Sequence, residues 1–420
     1  MKIAILGNGG REHALALSIS KSKKVQKIFC LPGNAGTANI AENILLNVNN
    51  FELIYDFLKK KQIDLVIVGP EKPLVNGIVN YLKKRNISVF GPNKNSAQLE
   101  GSKIFTKKIC KKYKIPTASF GIFKSKKSAI KFVNKSKLPI VIKADGLAAG
   151  KGVYICNNLK ESNIAINEIF DGKFGFAKSI LIEEFLKGEE MSFFVISDGK
   201  SFQSFQTAQD HKRVGEGDVG KNTGGMGAYC PSNLINKKLE KKIINRIIKP
   251  TFKALKDLGD NYSGFLYAGL MIKDNNPYLI EYNVRMGDPE CQTILPLLKS
   301  DFLELILACN KRKLSNFKIK WKKNKSMCIV LCTKGYPDKY RKNIEIKELS
   351  KIKITKNNYL FHAGTNKKNG KFYSIGGRVL NFVNISNSFF KSRNNIIKII
   401  KKLNWKNGFY RKDIGYRAID

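Results

Sequence analysis

The sequence predicts a mixed α/β protein built from three domains, and three features of the chain lead to that prediction. Short apolar runs alternate with helical segments over the first hundred residues, and from about Gly101 several strands follow one another directly. A polar, lysine-rich stretch, Lys311–Lys325, then precedes a last segment of short strands and one helix. Strands that alternate with helices pair in parallel, whereas strands joined by turns pair antiparallel. The predicted domain limits are 1–100, 101–310 and 326–420.

The first region has the pattern of a doubly wound parallel sheet. Short apolar runs predict strands at Lys2–Leu6, Lys27–Leu31, Asp64–Val68 and Ile87–Phe90. The segments between them predict helices at Glu12–Ser20, Phe51–Lys60 and Val75–Lys84. Each strand ends in a loop of glycine or proline, and such sheets bind ligands at the carboxyl ends of their strands. We therefore expect a ligand site at that edge.

The second and third regions have the pattern of an α+β arrangement. A basic helix, Ser102–Tyr113, comes first, and a glycine-rich turn then separates Lys137–Ala144 from Val153–Cys156, which predicts an antiparallel hairpin with a long loop. Further strands are predicted at Ile180–Phe185, Met191–Ser197, Ser201–Thr207 and Met327–Cys332. Helices are predicted at Leu239–Leu258 and Ser388–Leu403, and a second hairpin pairs Phe265–Ile272 with Pro277–Tyr282.

The composition limits the classes of function. Of the 420 residues 43% are hydrophobic, which is enough to fill a core in each domain and excludes a disordered or fibrous protein. No run of about 18 apolar residues occurs, and apolar Ile3–Leu6 leads directly into glycines, so neither a membrane span nor a signal peptide is predicted. The eight cysteines form no C-x-x-C pair, which favours reduced, buried thiols over a zinc or thioredoxin-type site. We expect a cytoplasmic protein with no membrane partner.

The formal net charge of +43 would ordinarily indicate a nucleic acid or an anionic membrane as partner. Only eleven of the 76 basic residues are arginines, although the planar guanidinium of arginine binds phosphates and bases better than the lysine ammonium does. The lysines are scattered through the whole chain among many Asn and Ile residues, which favours a general drift in composition. Nucleic-acid binding stays open as the alternative, and it predicts an affinity that falls steeply with salt and does not depend on small substrates.

The first candidate site is the loop GNGGREH at Gly7–His13, between a strand and a helix. Glycines there let backbone N–H groups at the helix N-terminus approach a phosphate. The dinucleotide fingerprint fails because Glu12 stands where its third glycine would be, and the second strand ends in Pro32-Gly33 with no acid for a ribose. A small phosphorylated ligand and a tight turn without a ligand are equally consistent with this loop.

The second candidate site is the glycine-rich string KADGLAAGKG at Lys143–Gly152. Three glycines and a lysine between two strands indicate a flexible cover over a polyphosphate. The string is not a Walker A loop, because only three residues separate Gly146 from Gly150 and no Ser or Thr follows Lys151. The alternative is an ordinary long hairpin turn, and the apolar Gly/Ala composition argues against it.

Three polar segments could complete such a site. IEEFLKGEE at Ile182–Glu190 could present backbone groups to an adenine and an acid to a ribose, although acidic strand ends are more often simply solvated. QDHKR at Gln209–Arg213 and NTGGMG at Asn222–Gly227 combine charge with glycine, which indicates substrate binding; the alternative is a mobile charged loop.

The remaining segment, EYNVRMGDPE, has the composition of a metal site. Glu281, Asn283 and Arg285 share one face of a predicted strand because side chains alternate along it. A carboxylate, an amide oxygen and a guanidinium side by side suit Mg²⁺ next to phosphate. The alternative is a solvated polar face, but the apolar partner strand Phe265–Ile272 indicates a buried hairpin, where charges need partners.

Taken together and in this order, these segments closely resemble the phosphoribosylamine–glycine ligase family of ATP-grasp enzymes. The resemblance runs from GNGGREHALA through PGNAGTA, VGPE, QLEGSK, IKADGLAAGKGV, EEFLKGEE, QDHKRVGEGD, NTGGMGAY, GFLYAGLM and GDPE to FHAGT, GGRVL and RKDIGYRAI. It covers essentially the whole chain. It implies an N-terminal Rossmann-like domain that binds phosphoribosylamine, a central ATP-grasp region with a small lid subdomain at about 115–190, and a C-terminal mixed α/β domain.

The resemblance also implies an activity, the second step of de novo purine (IMP) biosynthesis. In this family the glycine carboxylate takes the γ-phosphoryl group of ATP, and the amine of 5-phosphoribosylamine attacks the resulting acyl phosphate, giving glycinamide ribonucleotide, ADP and phosphate. ATP is the cosubstrate, Mg²⁺ or Mn²⁺ the cofactor, and the protein is expected to be a monomer with no nucleic-acid partner. Phosphorylation makes the carboxylate electrophilic, so catalysis needs positioning and charge neutralisation rather than a protein nucleophile.

The family's roles fall on the matching residues of this sequence. Glu281 and Asn283 would hold the metal ion, and Arg285, Asp210 and Asp288 are the catalytic candidates. The ATP-binding residues would be Lys103, Lys143, Gly146, Gly150, Lys151, Gly152, Glu183, Leu186 and Glu190, with the first two on the phosphates, Glu183 and Leu186 at the adenine and Glu190 at the ribose. The substrate-binding residues would be Gly9 and Gly10, on the 5-phosphate, and Lys212.

Two other enzyme classes compete with this interpretation. A sister ATP-grasp ligase that acts on another carboxylate is opposed by the QDHKR and GDPE segments, but only through the resemblance. A dinucleotide oxidoreductase is disfavoured because Glu12 breaks its fingerprint. Tyr282 and Met286 stand where the family commonly has Phe, and these mild changes leave the expected metal ligands intact.

Overall fold

The computed structural model describes residues 1–147, 152–175 and 177–419. Its N-terminal part is a five-stranded parallel sheet in the order β3-β2-β1-β4-β5. The strands are β1 (Lys2–Gly7), β2 (Lys27–Pro32), β3 (Glu42–Asn43), β4 (Leu65–Val68) and β5 (Val89–Phe90). The helices are α1 (Gly10–Ile19), α2 (Phe51–Lys61), α3 (Glu71–Asn76), α4 (Ile78–Lys83), α5 (Lys94–Gly101) and α6 (Lys103–Lys112). The predicted parallel sheet is confirmed. The helix expected at Val75–Lys84 is instead split, because Gly77 (φ 94°) ends α3 in the left-handed conformation that favours glycine.

A four-stranded antiparallel sheet with two helices follows. It comprises β6 (Phe120–Phe123), β7 (Ile140–Ala144), β8 (Val153–Cys156) and β9 (Ile180–Glu184), in the order β6-β9-β7-β8, with α7 (Lys126–Val133) and α8 (Leu159–Phe170). The hairpin predicted around the glycine-rich turn is confirmed, with Lys143 paired to Val153. A separate apolar core lies between this sheet and its helices, built on residues such as Val133, Ile142 and Ile166. This unit is called the lid below.

The largest element is a nine-stranded antiparallel sheet in the order β16-β15-β10-β11-β14-β17-β22-β19, with β23 beside β17. The strands from β10 to β17 are β10 (Glu189–Asp198), β11 (Phe202–Asp210), β12 (Arg213–Gly215), β13 (Val219–Asn222), β14 (Gly227–Cys230), β15 (Ser263–Lys273), β16 (Asn276–Asn283) and β17 (Lys325–Thr333). The last strands are β18 (Ile344–Glu345), β19 (Asn358–His362), β20 (Thr365–Lys368), β21 (Lys371–Ser374), β22 (Arg378–Ser386) and β23 (Gly408–Phe409). Five of these strands lie outside the large sheet: β12 pairs with β13, and β18, β21 and β20 form a three-stranded sheet. Since β14 pairs with β17, the strands after the polar stretch extend the same sheet.

Helices cover this sheet and link it to the N-terminal part. They are α9 (Lys237–Ile243), α10 (Lys249–Asp257), α11 (Glu290–Ile294), α12 (Phe302–Asn310) and α13 (Phe389–Leu403). The single helix predicted at Leu239–Leu258 contains a π-helical turn at Ile244–Ile248. Pro250 follows that turn and has no N–H to donate into the helix, which gives a physical reason for the wider turn. In the part of the chain that the structure describes, no helix is both long and apolar enough to cross a bilayer.

Candidate active site

A cleft of about 1010 Å³ lies between the lid and one face of the large sheet, and it reaches the first loop of the N-terminal part. The predicted site residues that line it are Gly9, Lys103, Lys143, Gly146, Glu183, Leu186, Glu190, Asp210, Lys212, Glu281, Asn283, Arg285 and Asp288. Gly10 and Gly152 do not line it; the Gly152 carbonyl accepts the Ala144 N–H at 2.8 Å. Gly150 and Lys151 lie outside the described residues. Residues separated by up to 279 positions in sequence thus meet in one cavity.

Lysines and one acid form the end of the cleft under the lid. Glu183, on β9, is 4% exposed, and its carboxylate lies 2.8 Å from Lys143 Nζ and 3.1 Å from Lys107 Nζ. Both lysines are buried as well, at 5% and 2% exposed. Burial lowers the pKa of Lys107, and the charge of Glu183 opposes that shift. The acid expected at the adenine therefore holds two lysines, of which Lys107 was missed because it is one of many in a basic helix.

The start of the glycine-rich turn is tied to the N-terminus of α6. The Asp145 carboxylate accepts hydrogen bonds from the Ser102 hydroxyl at 3.0 Å and from the Ile104 N–H at 3.2 Å. Lys103 Nζ donates to the Gly146 carbonyl at 2.9 Å. Burial lowers the pKa of Lys103, against the nearby charge of Glu281. These hydrogen bonds fix Asp145 and Gly146, at the start of the turn, beside Lys103, which lines the cleft.

Glu281 and Asn283 lie on the cleft face of β16. Glu281 is opposite Gly269 and Asn283 opposite Tyr267 on β15, so all four side-chain positions share that face. Burial alone would raise the pKa of Glu281, but the surrounding cations outweigh burial and lower it; they are Lys212, Lys143, Lys103 and Arg285. The nearest of these to the carboxylate, Lys212 Nζ, is 4.0 Å away.

This pair of oxygen donors fits a divalent cation that is shared with a substrate. Within the described ranges no hydrogen bond engages the side chain of Asn283 or of Glu281, and the one ion pair of Glu281 there is that with Lys212 at 4.0 Å. Among all the residues that the structure describes, no group of three or more His, Cys, Asp or Glu side chains is able to hold an ion by itself. Mg²⁺ typically takes one or two protein ligands and completes its shell with phosphate and water. The arrangement suits that coordination.

Arg285 is held by two acids that the sequence did not assign. One terminal nitrogen of Arg285 lies 2.6 Å from Glu100 Oε1, and its Nε lies 3.4 Å from Glu71 Oε2. The other oxygen of Glu100 accepts the Val284 N–H at 2.8 Å. Burial raises the pKa of Glu100 to about 7, although Arg285 acts in the opposite direction. Glu100 of the QLEGSK segment and Glu71 of the VGPE segment, to which the sequence analysis gave no role, are these two acids.

The glycines of the first loop make room for a buried acid. Glu12 is 2% exposed, pairs with Arg11 Nε at 2.7 Å and accepts the Gly9 N–H at 2.6 Å. A Cβ at Gly7, Gly9 or Gly69 would lie within 2.8 Å of the Glu12 side chain. The Arg11 N–H faces a second carboxylate, that of Asp288, at 3.2 Å. The N–H of Gly9, just before α1, and that of Arg11, in its first turn, are thus already bonded to acids of this chain.

Acids dominate the opposite end of the cleft. Lys212 Nζ lies 2.9 Å from Glu190, and Arg378 lies 3.3 Å from Asp288. Asp210, at the end of β11, has its pKa raised to about 7, first by burial and then by the charges of Glu290 and Glu190, while Lys212 opposes the shift. A carboxyl group with such a pKa can exchange a proton near neutral pH.

Comparison with protein-family models matches three stretches of the chain. Residues 1–100 match the N domain of phosphoribosylglycinamide synthetase, residues 101–291 its ATP-grasp (A) domain and residues 326–417 its C domain.

Full-length relatives give the same result. The chain is 43% identical over 421 residues to the phosphoribosylamine–glycine ligase of Brucella melitensis, covering 100% of this chain and 99% of that protein. It is 45% identical over 425 residues to the enzyme of that name from Haemophilus influenzae, with 100% and 99% covered.

Solved structures agree at the level of the fold. The phosphoribosylamine–glycine ligase of Thermotoga maritima superimposes with a TM-score of 0.84 at 32% identity, covering 99% of this chain and 100% of that one. The biotin carboxylase domain of the Hydrogenobacter thermophilus 2-oxoglutarate carboxylase, solved with MgADP, gives 0.70 at 16% identity, with 95% and 89% covered. The second likeness shows a shared fold alone.

Proposed function

The chain belongs to the phosphoribosylglycinamide synthetase family, and on that premise we propose that it joins glycine to 5-phosphoribosylamine with ATP, giving glycinamide ribonucleotide, ADP and phosphate. The observation that carries the proposal is the identity of 43% to 45% over the full length of enzymes with that name. The cleft supports it, because cations, oxygen donors and acids meet there in the arrangement that phosphoryl transfer to a carboxylate needs.

ATP binds between the lid and the large sheet in this proposal. Lys103 and Lys143 neutralise the phosphates, and Gly146 and Gly152 flank the turn that covers them, with Gly150 and Lys151 inside it. The Leu186 backbone meets the adenine beside Glu183, and Glu190 meets the ribose. Lys107 shares the carboxylate of Glu183 with Lys143. The charge of Lys143 is therefore only partly neutralised by that acid and can act on the phosphates.

Glu281 and Asn283 are the residues that would hold Mg²⁺, or Mn²⁺ in its place. When bound there, the ion neutralises charge on the phosphate oxygens. The chain's own contribution is to place both oxygen ligands on one sheet face, where Glu281 is opposite Gly269, which adds no side chain. Arg285, fixed by Glu100 and Glu71, would stand next to this pair and stabilise charge on the phosphoryl group as it moves to glycine.

The reaction then proceeds in two balanced steps. A carboxylate oxygen of glycine bonds to the γ-phosphorus while the bond to the β-phosphate oxygen breaks and ADP leaves. The amine of phosphoribosylamine next bonds to the carbonyl carbon, the carbon–oxygen bond to phosphate breaks, and the amine loses a proton. Asp210 is suited to accept that proton because of its raised pKa. Asp288, Lys212 and the loop at Gly9 and Gly10 would position the second substrate.

We therefore propose that the partners of this protein are small molecules and not a nucleic acid. We also propose that it is a monomer in the cytoplasm. All eight cysteines are buried free thiols, which fits a reducing compartment.

ADP release by the purified protein tests the proposal. We expect ADP only when glycine, phosphoribosylamine formed in situ from ribose 5-phosphate and ammonia, and a divalent cation are all present. ADP release that ignores glycine would contradict the ligase function. Activity on another amino acid but not on glycine would favour a sister ligase.

A further inference from the structure

One buried acid of the cleft has no cation of its own. Glu290, the first residue of α11, is 3% exposed and lines the cavity. Its Oε1 accepts a hydrogen bond from the Ser192 hydroxyl at 3.3 Å. The arginines whose pKa it influences, Arg285 and Arg378, each pair with another carboxylate. Within the described part of the chain, no lysine, arginine or histidine nitrogen lies within 4.0 Å of Glu290.

Burying a charged carboxylate without a cation is costly, so such a group in a substrate cleft indicates a ligand that brings the missing charge. Oε2 of Glu290 is packed closely against the backbone: a Cβ at Gly287 would lie 2.3 Å from it. The carboxylate is therefore held in place by Gly287 and Ser192 while it lines the cavity.

The surroundings of Glu290 form a small polar recess on the sheet. Ser192 on β10 is opposite Gly269 on β15 and Ala208 on β11, so Ser192, Tyr267 and Asp210 lie on the cleft face. The hydroxyl groups of Ser192 and Tyr267 are hydrogen-bonded at 2.9 Å. The charge of Glu290 raises the pKa of both Tyr267 and Asp210 after the larger effect of burial, which indicates that the three groups are close.

We propose that this recess, formed by Glu290, Asp210 and the hydroxyl groups of Ser192 and Tyr267, binds the ammonium group of the glycine substrate. The inference rests on the proposed function, because it takes glycine as the amino acid that is phosphorylated. Glycine is a zwitterion at neutral pH. Its carboxylate has to reach the phosphates beside Glu281, which is on the same sheet face, and its ammonium group is the cation that the acids lack. An ammonium group donates three hydrogen bonds, and two carboxylates with a hydroxyl oxygen can accept them.

A chemical consequence follows for the reaction. An ammonium group has no lone pair and cannot attack an acyl phosphate. A recess that keeps the amino group of the bound glycine protonated therefore prevents that amino group from acting as a nucleophile. The amine that attacks the activated carbonyl then has to come from the second substrate.

Glu290→Gln tests the recess, because it removes the charge and keeps the size of the side chain. We expect the KM for glycine to rise about 10- to 100-fold, the amount that loss of a charged hydrogen bond costs. The KM values for ATP and phosphoribosylamine should change less than about twofold by the same reasoning. Glu52→Gln, an exposed acid on α2, is the matched control and should leave all three unchanged.

Two further measurements separate a lost ammonium contact from a general defect. Glu290→Asp retains the charge and should recover part of the glycine affinity, and Tyr267→Phe should raise the KM for glycine even if Glu290→Gln does not fold. Glycolate carries a hydroxyl in place of the ammonium, so the preference for glycine over glycolate should narrow in Glu290→Gln.

The possible results are distinct. An unchanged KM for glycine in a folded Glu290→Gln, with wild-type turnover that depends on glycine, would overturn the recess alone. A rise confined to the KM for phosphoribosylamine would also overturn it, since the recess would then hold the other amine. Wild-type ADP release without dependence on glycine would overturn the proposed function and the recess together.

Discussion

The two ends of the cleft differ in the sign of the charge that they bury. Under the lid, Lys107 and Lys143 pair with a single acid, Glu183, and the charge of Lys143 also acts on Lys103. Toward the starts of α1 and α11, acids predominate, and Glu290 has no cation within reach among the described residues. In a chain with a net charge of +43, this concentration of acids cannot follow from composition. The buried charge of the cleft is therefore polarised, and the proposed function would place the polyphosphate at one end and the amines of both substrates at the other.

The largest loss of activity is expected from substitutions at Glu281 and Asn283, which lie between the two ends of the cleft. We expect Glu281→Gln and Asn283→Ala each to lower kcat/KM by about 1000-fold or more, because metal ions supply several kcal/mol of charge stabilisation in such reactions. Half-maximal activity should also need more Mg²⁺. The thermal midpoint should stay near that of wild type, since no hydrogen bond in the described ranges engages Asn283.

Asn276→Ala, at the other end of β16 and outside the cleft, is the control for Asn283→Ala. Wild-type turnover in both site variants would refute the assignment of the metal ligands.

Removal of one lysine tests the lid end by itself. Lys143→Met should reduce kcat/KM for ATP by about 100-fold, a typical loss for one group that stabilises a transferring phosphoryl. The protein should also become less stable, because Glu183 keeps only Lys107 as a partner. Lys108→Met removes an exposed lysine from α6 and should be silent. Equal kinetics for the two variants would contradict a phosphate role for Lys143.

The sequence could predict the elements of the cleft better than its charge pairs. Alternation of side chains placed Glu281 and Asn283 on one strand face, and the structure has them there, because periodicity is a local property of the chain. The pairing of Arg285 with Glu100 joins residues 185 positions apart, and no local pattern contains it. Lys107 was hidden among the lysines of a basic helix.

The glycine-rich first loop illustrates a second limit. The sequence could not decide between a ligand and a tight turn, since both require glycine. The structure adds a third reason for the glycines of this loop, which is the space that the Glu12 side chain occupies. Such a reason depends on which side chain folds back into the loop, and only the packed structure contains that information.

The acids at this end of the cleft should make kcat/KM for glycine depend on pH. The pKa of Asp210 is raised to about 7, so this carboxyl group is protonated below that pH and ionised above it. Only the ionised form can accept a proton or face an ammonium group. We therefore expect kcat/KM for glycine to fall about tenfold per unit as the pH drops below about 7.

The groups that face Asp210 are Lys212, Glu290, Glu190 and Tyr267, and burial is the largest cause of its shift. Asp210→Asn should be slow and should lose this limb of the profile, whereas Lys143→Met, at the lid end, should keep it. A limb that survives in Asp210→Asn would assign the titration to another group.

The smallest expected effect concerns the first loop, where the acid end meets the predicted phosphate position. A Cβ at Gly9 would lie 2.8 Å from Glu12 Oε2 and 3.2 Å from Asp288 Oδ2, so Gly9→Ala has to displace two carboxylates by a few tenths of an ångström. We expect the KM for phosphoribosylamine to rise about 3- to 10-fold, equivalent to about 1 kcal/mol, with the KM values for ATP and glycine unchanged. If the loop held no part of that substrate, the three KM values would move together or not at all. A Cβ at Gly69, the residue after β4, would also meet Glu12, but at Oε1 and not at Oε2. Gly69→Ala is therefore the discriminating comparison, because it disturbs the same acid from another segment. A loss specific to Gly9→Ala would place the 5-phosphate at the loop itself, whereas the same loss in both variants would show that the position of Glu12 is what the substrate requires.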